Sequence, residues 1–314
     1  MFRNKKFAIT VAAFNEEKLI AKTINALPDF IDEIFVVNDG STDKTQKVVE
    51  KLASDNKKIT LLNNEQNRGV GFTVTRGLKA ARDKKYDLIA VTAGDAQCDP
   101  NYLAKMADTL LDEGWDYVKA NRFKNLDALR RMPKHRRIGN IIITIMTKFA
   151  TGYYSIFDTQ NGYGVFTLDV LERLPFELIG ERYDYENTML IALSVIDAQI
   201  KDHPVPAIYG DEESTIKLLP TVWRAVKVLF FGFWRRIYYK YIIFDFHPIS
   251  LFLLSGLVLM LFGFGFGLYI AAVRILSDIS PSTGTVMISA IPLLVGFQLF
   301  LTAMIMDVNN EVRK

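Results

Sequence analysis

The residues of this 314-residue chain best suited to chemistry lie in VTAGDAQCDP, Val91 to Pro100, where an apolar run starting near Leu88 gives way to small residues carrying Asp95 and Gln97. Along an extended segment residues two apart point the same way, so the Asp95 carboxylate and the Gln97 amide oxygen can converge on one point. Two convergent oxygens suit a hard divalent cation, Mg²⁺ or Mn²⁺, whose remaining positions are filled by water and phosphate oxygens. The plainer alternative is a turn, with Gly94 and Asp95 as turn formers and Asp99-Pro100 opening a helix. Cys98, the single cysteine, has no internal disulfide partner and fits a reducing compartment.

The elements that must position this loop alternate. Residues 7–14 read as a buried strand and Glu16 to Leu27 as a helix with an apolar face. Strands follow at 33–37, 59–62, 88–92 and 117–120, with helices at 43–52, 71–82 and 100–113 between them. This order predicts an α/β domain with a mostly parallel sheet covered on both faces, whose ligands lie beyond the carboxyl ends of the strands. Polar clusters fall at those ends: Phe14-Asn15-Glu16, Asn38-Asp39-Gly40-Ser41, Asp95-Ala96-Gln97, and Asn67 to Gly71 at the start of a helix. Carboxylates, small residues and a helix N-terminus together suit a nucleotide whose diphosphate carries a metal. Asp39 and Glu16 would accept from a ribose hydroxyl or base N–H. Singly, Asn15-Glu16 and Ser41-Thr42-Asp43 also suit helix capping.

Half of the residues are hydrophobic, and they concentrate towards the end of the chain. Pro248 to Val273 and Val286 to Met306 contain no charged residue, and each is long enough to span a bilayer. Arg224, Lys227, Arg235, Arg236 and Lys240 precede the first run and Arg313 and Lys314 follow the second, so both ends of the hairpin are expected in the cytosol. No cleavable leader is read at the start, because FAITVAAF is short and leads into Asn-Glu-Glu. Between Leu218 and Phe246, aromatic residues interleaved with cations predict a pair of helices lying in the membrane interface. The expected division is therefore 1–216 for the α/β domain, 217–247 for interface helices and 248–314 for the hairpin. Gly263, Gly265 and Gly267 would permit close helix approach, within the span or in a homo-oligomer.

VAAFNEE, VVNDGSTD, NRGVG, AGDAQCDP and ANRF together resemble the motif set of the inverting family-two glycosyltransferases with a GT-A fold. With the hairpin added, the chain resembles the polyprenyl-phosphate glycosyltransferases, the dolichyl-phosphate mannose synthase and bactoprenol glucosyltransferase type. The resemblance implies that Ala12, Phe14, Glu16, Val37, Asp39, Ala93, Gly94 and Asp95 bind a UDP- or GDP-linked sugar. It implies further that Asp95 and Gln97 hold Mg²⁺ or Mn²⁺. Ala12 stands where the family usually has Pro, Asn38-Asp39 where it has an acidic pair, and Ala93-Gly94-Asp95 where it has Asp-x-Asp. DEESTIK replaces Arg-x-x-Gly-x-Ser-Lys, keeping Lys217 but placing Asp211 where the arginine stands.

Arg122, Lys124, Arg130, Arg131, Lys134, Arg136 and Arg137 form a basic stretch ahead of an apolar helix around residues 138–154. Arginine forks there suit an anionic lipid headgroup, and the alternative is unspecific attraction to an anionic membrane. RNA is set aside, since the hairpin supplies the nearer anion. The resemblance assigns a lipid phosphate to Arg131 and Arg137, with Lys217 joining them. FDTQNGYGVF resembles a family segment in which Asp158 and Gln160 would touch sugar or acceptor, although Asn161-Gly162 also reads as a turn. The expected reaction transfers one sugar to dolichyl or undecaprenyl phosphate, with Asp95, Arg122 and Asp158 as its catalytic residues. Two alternatives stand beside it: another membrane-lipid acceptor, whose hydroxyl would need Asp158 or Glu186 as base, and an idle scaffold.

Overall fold

The structure is a computed structural model and describes residues 1–123, 134–206, 218–277 and 280–311. Among them the strands are β1 (Phe7–Ala13), β2 (Glu33–Asn38), β3 (Ile59–Asn63), β4 (Leu88–Ala93), β5 (Tyr117–Asn121), β6 (Gly164–Thr167) and β7 (Ile200–Pro204). The helices are α1 (Ile20–Asn25), α2 (Thr45–Asp55), α3 (Val70–Asp83), α4 (Tyr102–Glu113), α5 (Lys134–Thr151), α6 (Leu168–Arg173), α7 (Tyr185–Val195), α8 (Leu218–Tyr238), α9 (Pro248–Ser277) and α10 (Thr283–Asn309). Internal packing divides the chain into a unit of Met1–Trp234 and a unit of Arg235–Glu311.

In the first unit the strands form one sheet in the order β3-β2-β1-β4-β6-β5-β7. The β3-β2-β1-β4 strands run parallel, and β5 pairs in parallel with β7. The central β1 is buried along nearly its whole length, as expected of a strand covered by helices on both faces. Its register sets Ala12 beside Val37 and Ala93, so the ends of β1, β2 and β4 align and their loops leave from one edge. The strand order reverses between β1 and β4, the kind of place where open α/β sheets leave a crevice. Among the described strands only β6 is antiparallel, pairing Gly164 with Val91 and Lys119. Because it enters the sheet at that same edge, residues 157–163 are delivered to the crevice.

Two expected elements differ. The first helix begins at Ile20 rather than Glu16, because the loops after β1 and β2 are stitched together. Asn15 N–H donates to Ser41 Oγ (3.0 Å), Glu16 N–H to Thr45 Oγ1 (2.8 Å) and Lys44 N–H to Glu17 Oε2 (3.0 Å). These side chains join loop to loop, and none caps its own helix. The expected interface pair is a single helix, α8, running on into a π-helical turn at Tyr239–Phe244.

In the second unit α9 and α10 are both long and apolar enough to cross a membrane. They meet at glycines: a Cβ on Gly256 would lie 2.9 Å from the Gly296 carbonyl, and one on Gly263 2.7 Å from Leu293 N. Gly263 is therefore used inside the hairpin, whereas Gly265 has nothing within 4 Å. A fully buried ion pair closes one end, with Arg236 Nη1 and Nη2 donating to the Asp307 carboxylate at 2.7 and 2.8 Å. Tyr241 Oη donates to the same carboxylate at 2.7 Å. Removing one member strands the other charge, so Arg236→Met should cost about 3–5 kcal/mol of stability. The double variant Arg236→Met/Asp307→Leu should recover most of that loss, read as thermal midpoints in detergent.

Candidate active site

The edge of the sheet opens into a crevice of about 230 Å³ at the β1/β4 reversal. Ala12, Ala93, Asp95 and Gln97 line one side, and Arg122, Asn161, Tyr185 and Glu186 lie among the residues of the other. Tyr185 fixes the width on that side. A Cβ on Gly162 would fall 1.8 Å from its hydroxyl and one on Gly71 2.6 Å from its Cβ, so both positions require glycine.

Asp95 and Gln97 both reach the crevice, but through a turn rather than an extended run. Ala96 takes the left-handed conformation at φ +55°, uncommon for a residue with a Cβ. The buried Thr23 of α1 holds that turn: its hydroxyl donates to the Gly94 carbonyl (2.9 Å) and accepts from Ala96 N–H (3.0 Å). Gly94 N–H in turn donates to Ala12 O at 2.9 Å, which makes Gly94 a backbone spacer. Asp99, read from sequence as a helix opener, accepts from Asn101 N–H (3.0 Å) and also lines the crevice. Among the described residues there is no cluster of three or more His, Cys, Asp and Glu side chains placed to hold a metal. One or two carboxylates with an amide oxygen fit Mg²⁺ or Mn²⁺ when phosphate and water supply the other positions, and do not form an all-protein cage.

The expected nucleoside residues divide. Ala12 and Ala93 line the crevice, while Phe14 is exposed, Glu16 is half-buried and Val37 is buried in the sheet. Asp39 is 3% exposed, with Oδ1 accepting from Asn64 Nδ2 (2.7 Å) and Arg68 N–H (3.0 Å) and Oδ2 from Gly69 N–H (2.8 Å). Phe72 N–H donates to Glu181 O at 2.9 Å, and a Cβ on Gly71 would sit 2.1 Å from the Gly180 carbonyl. The α3 N-terminus, expected to cradle phosphate, is thus covered by Asp39 and by residues 180–181. The Arg68, Gly69 and Phe72 N–H groups are engaged in this way, while Val70 lines the crevice.

Opposite the Asp95 turn, Arg122 follows β5 and its guanidinium is gripped by Asp158. Nε donates to Oδ2 at 2.8 Å and Nη2 to Oδ1 at 3.0 Å, and the Arg122 N–H adds a third bond at 3.0 Å. Asp158, expected to touch sugar or acceptor, is fully buried and commits its carboxylate to Arg122. Burial works to raise its pKa, but the Arg122 hydrogen bonds and the charges of Arg122 and Lys119 prevail and hold it below the usual carboxylate range. Glu186, in the first turn of α7, lies half-buried in the crevice wall, and burial pushes its pKa up to about 8. Arg131 and Lys217 lie outside the described residues, as does the side chain of Arg137 in the first turn of α5.

Residues 8–174 match the family description "Glycosyl transferase family 2". The chain belongs to that family. It is 30% identical over 221 residues to a UDP-N-acetylglucosamine–dolichyl-phosphate N-acetylglucosaminyltransferase of Methanococcus voltae, covering 66% of this chain and 88% of the relative. It is 26% identical over 246 residues to a dolichyl-phosphate beta-glucosyltransferase of Trichomonas vaginalis, covering 73% of this chain and 75% of that one. Glucosyl-3-phosphoglycerate synthase from Mycobacterium tuberculosis, solved with UDP, superposes with a TM-score of 0.56 at 19% identity, over 73% of this chain and 80% of that structure. The fold is GT-A-like and the protein is a glycosyltransferase. The reading as an idle scaffold is set aside.

For this family-2 transferase, the Glu186 environment gives a pH signature. The folded carboxyl keeps its proton from its ordinary pKa near 4.5 up to about 8, a range in which the unfolded chain has lost it. Stability gained from the protonated form is present at low pH and declines as pH rises through that window. Glu186→Gln should flatten the decline in thermal midpoint between those two pH values. An unchanged slope would show that other groups set it.

Proposed function

We propose that this glycosyltransferase moves a single sugar from a nucleotide diphosphate donor to the phosphate of a polyprenyl lipid, with inversion, at the cytoplasmic face of a membrane. The observation that carries the reading is the crevice itself, which sets an oxygen-rich turn at Asp95 across from a carboxylate-held arginine at position 122. Two relatives named as dolichyl-phosphate transferases support the acceptor class. The apolar helices α9 and α10 support a membrane lipid, and the cations flanking them in sequence support cytoplasmic ends.

The chemistry asks little of a base. A phosphate monoester has its second pKa at about 6 and is largely dianionic at neutral pH, so its oxygen attacks the anomeric carbon without deprotonation. Catalysis then rests on positioning and on stabilising charge as the diphosphate departs. A divalent cation bound by Asp95 and Gln97 would act as a Lewis acid on that diphosphate. Thr23 keeps the Asp95 turn in place. Ala12, Phe14, Glu16, Val37, Asp39, Ala93 and Gly94 form the donor side, with Asp39 acting at least through the loop it holds. Arg122, held by Asp158, orients an anion opposite, and Arg131, Arg137 and Lys217 are assigned to the acceptor phosphate.

One observation favours a second reading. Glu186 lines the crevice, and its pKa, pushed by burial up to about 8 against the opposing hydrogen bond from its own backbone N–H, suits a general base. A lipid hydroxyl would need such a base and a lipid phosphate would not.

The test is turnover of the full chain in detergent with short-chain polyprenyl phosphate and a panel of UDP- and GDP-sugars, with Mg²⁺, Mn²⁺ or EDTA. The expected product is a mono-glycosylated polyprenyl phosphate formed only with metal. Asp95→Ala should lower kcat about a hundredfold or more, since a catalytic cation supplies several kcal/mol. Ordinary turnover by Asp95→Ala would remove that residue from the site. Products formed only on hydroxyl lipids, and lost in Glu186→Gln, would establish the second reading.

A further inference from the structure

Behind Arg122 lies a group of buried charges that the mechanism does not use. Lys119 on β5 is 2% exposed and Asp202 on β7 is 7% exposed, and both lie in the sheet that carries Arg122. A buried ammonium is costly unless it is paired and hydrogen-bonded, and an aliphatic side chain would fill this volume more cheaply. Here the lysine Nζ donates to the Asp158 carbonyl and stands 3.9 Å from Asp202 Oδ1. Asp202 Oδ2 accepts from Phe157 N–H at 2.8 Å and from Asn121 Nδ2 at 2.7 Å. Asn121 Oδ1 completes the set by accepting from Phe123 N–H at 2.8 Å.

Both ends of the Phe157–Asp158 segment are thus pinned from behind, its N–H by Asp202 and its carbonyl by Lys119. The residues on either side of Arg122 are pinned as well, because Asn121 joins Asp202 to Phe123. Only the Asp158 carboxylate and the Arg122 side chain project from this frame, and the guanidinium lines the crevice. Two cations and two carboxylates balance, so the frame adds no net charge beside the anions of a donor and an acceptor. Burial lowers the Lys119 pKa and raises that of Asp202, while each charge counters the shift in the other.

We infer that Lys119 and Asp202 are positioning residues for glycosyl transfer: they fix the segment through which Asp158 aims Arg122 at the reacting phosphates. The inference rests on the assignment of Arg122 to the proposed mechanism. A displacement of about 1 Å in a catalytic group can cost about a hundredfold in rate. Loss of either pin is therefore expected to act on kcat more than on donor binding.

A double-mutant cycle tests this with the full chain in detergent. Lys119→Met should lower kcat by about tenfold to a hundredfold with the donor KM within about twofold of wild type. Arg122→Ala should lower it at least as far, and Lys119→Met/Arg122→Ala should be no slower than Arg122→Ala alone. Losses that multiply, or full turnover by Lys119→Met, would overturn the inference. If Lys119→Met does not fold, Asp202→Asn, which keeps the shape and an acceptor for Phe157 N–H, carries the same cycle with the same expected non-additivity. Wild-type turnover by Arg122→Ala would overturn both this role and the place of Arg122 in the mechanism. The cycle is run with whichever lipid the wild-type chain glycosylates, so failure of polyprenyl phosphate as acceptor and failure of the positioning role are separate results.

Discussion

The site depends on one reversal of strand direction. β6 runs antiparallel between β4 and β5, and it enters the sheet at the edge where the parallel strands end. Were it parallel, its preceding loop would emerge on the far side and Asp158 would lie a strand length from Arg122. The reversal brings residues 157–163 against the turn after β4. A long-range hydrogen-bonding pattern, rather than any local motif, thus joins the two halves of the crevice.

Once the halves meet, the crevice is shaped by buried groups that hold its loops from behind. Thr23 keeps Ala96 in a left-handed turn, Asp39 secures the loop at Arg68–Gly69, and Asp158 supports Arg122. Each supporting side chain is buried and bonded to at least two partners, which favours a fixed geometry over an adaptable one. The lining itself is sparse on the β4 side. Ala93 contributes a methyl where a carboxylate would place a second charge, and Asp99 is the acidic neighbour that remains. Charge in this part of the cleft is therefore low, so a cation bound here would draw most of its oxygens from water and a ligand.

Much of this was legible in the residue order because the elements are local. Strands 7–13, 33–38, 59–63, 88–93 and 117–121 are apolar runs bounded by turn residues, and their polar ends mark the edge that bears the site. β6 and β7 were not legible: GVFT is only a few residues long and follows a glycine turn, and IKDHP carries charges that mask a buried strand. The same masking hides Lys119, since a lysine in a strand reads as solvent-facing until its partners 39 and 83 positions away are known. Asp39 shows a second role that the residue order hides, because a carboxylate at a strand end looks like a ligand contact alone. Its partners 25 to 30 residues further on use both of its oxygens.

The Arg236–Asp307 pair bears on how the hairpin is made. The partners are 71 residues apart, and the arginine emerges first. At ordinary elongation rates it waits on the order of ten seconds for its counter-ion. During that interval the guanidinium lacks its buried partner, and beside a bilayer it would stay with water and lipid headgroups. Burial of the pair must then follow release of α10 from the ribosome, so the two helices settle together rather than one after the other.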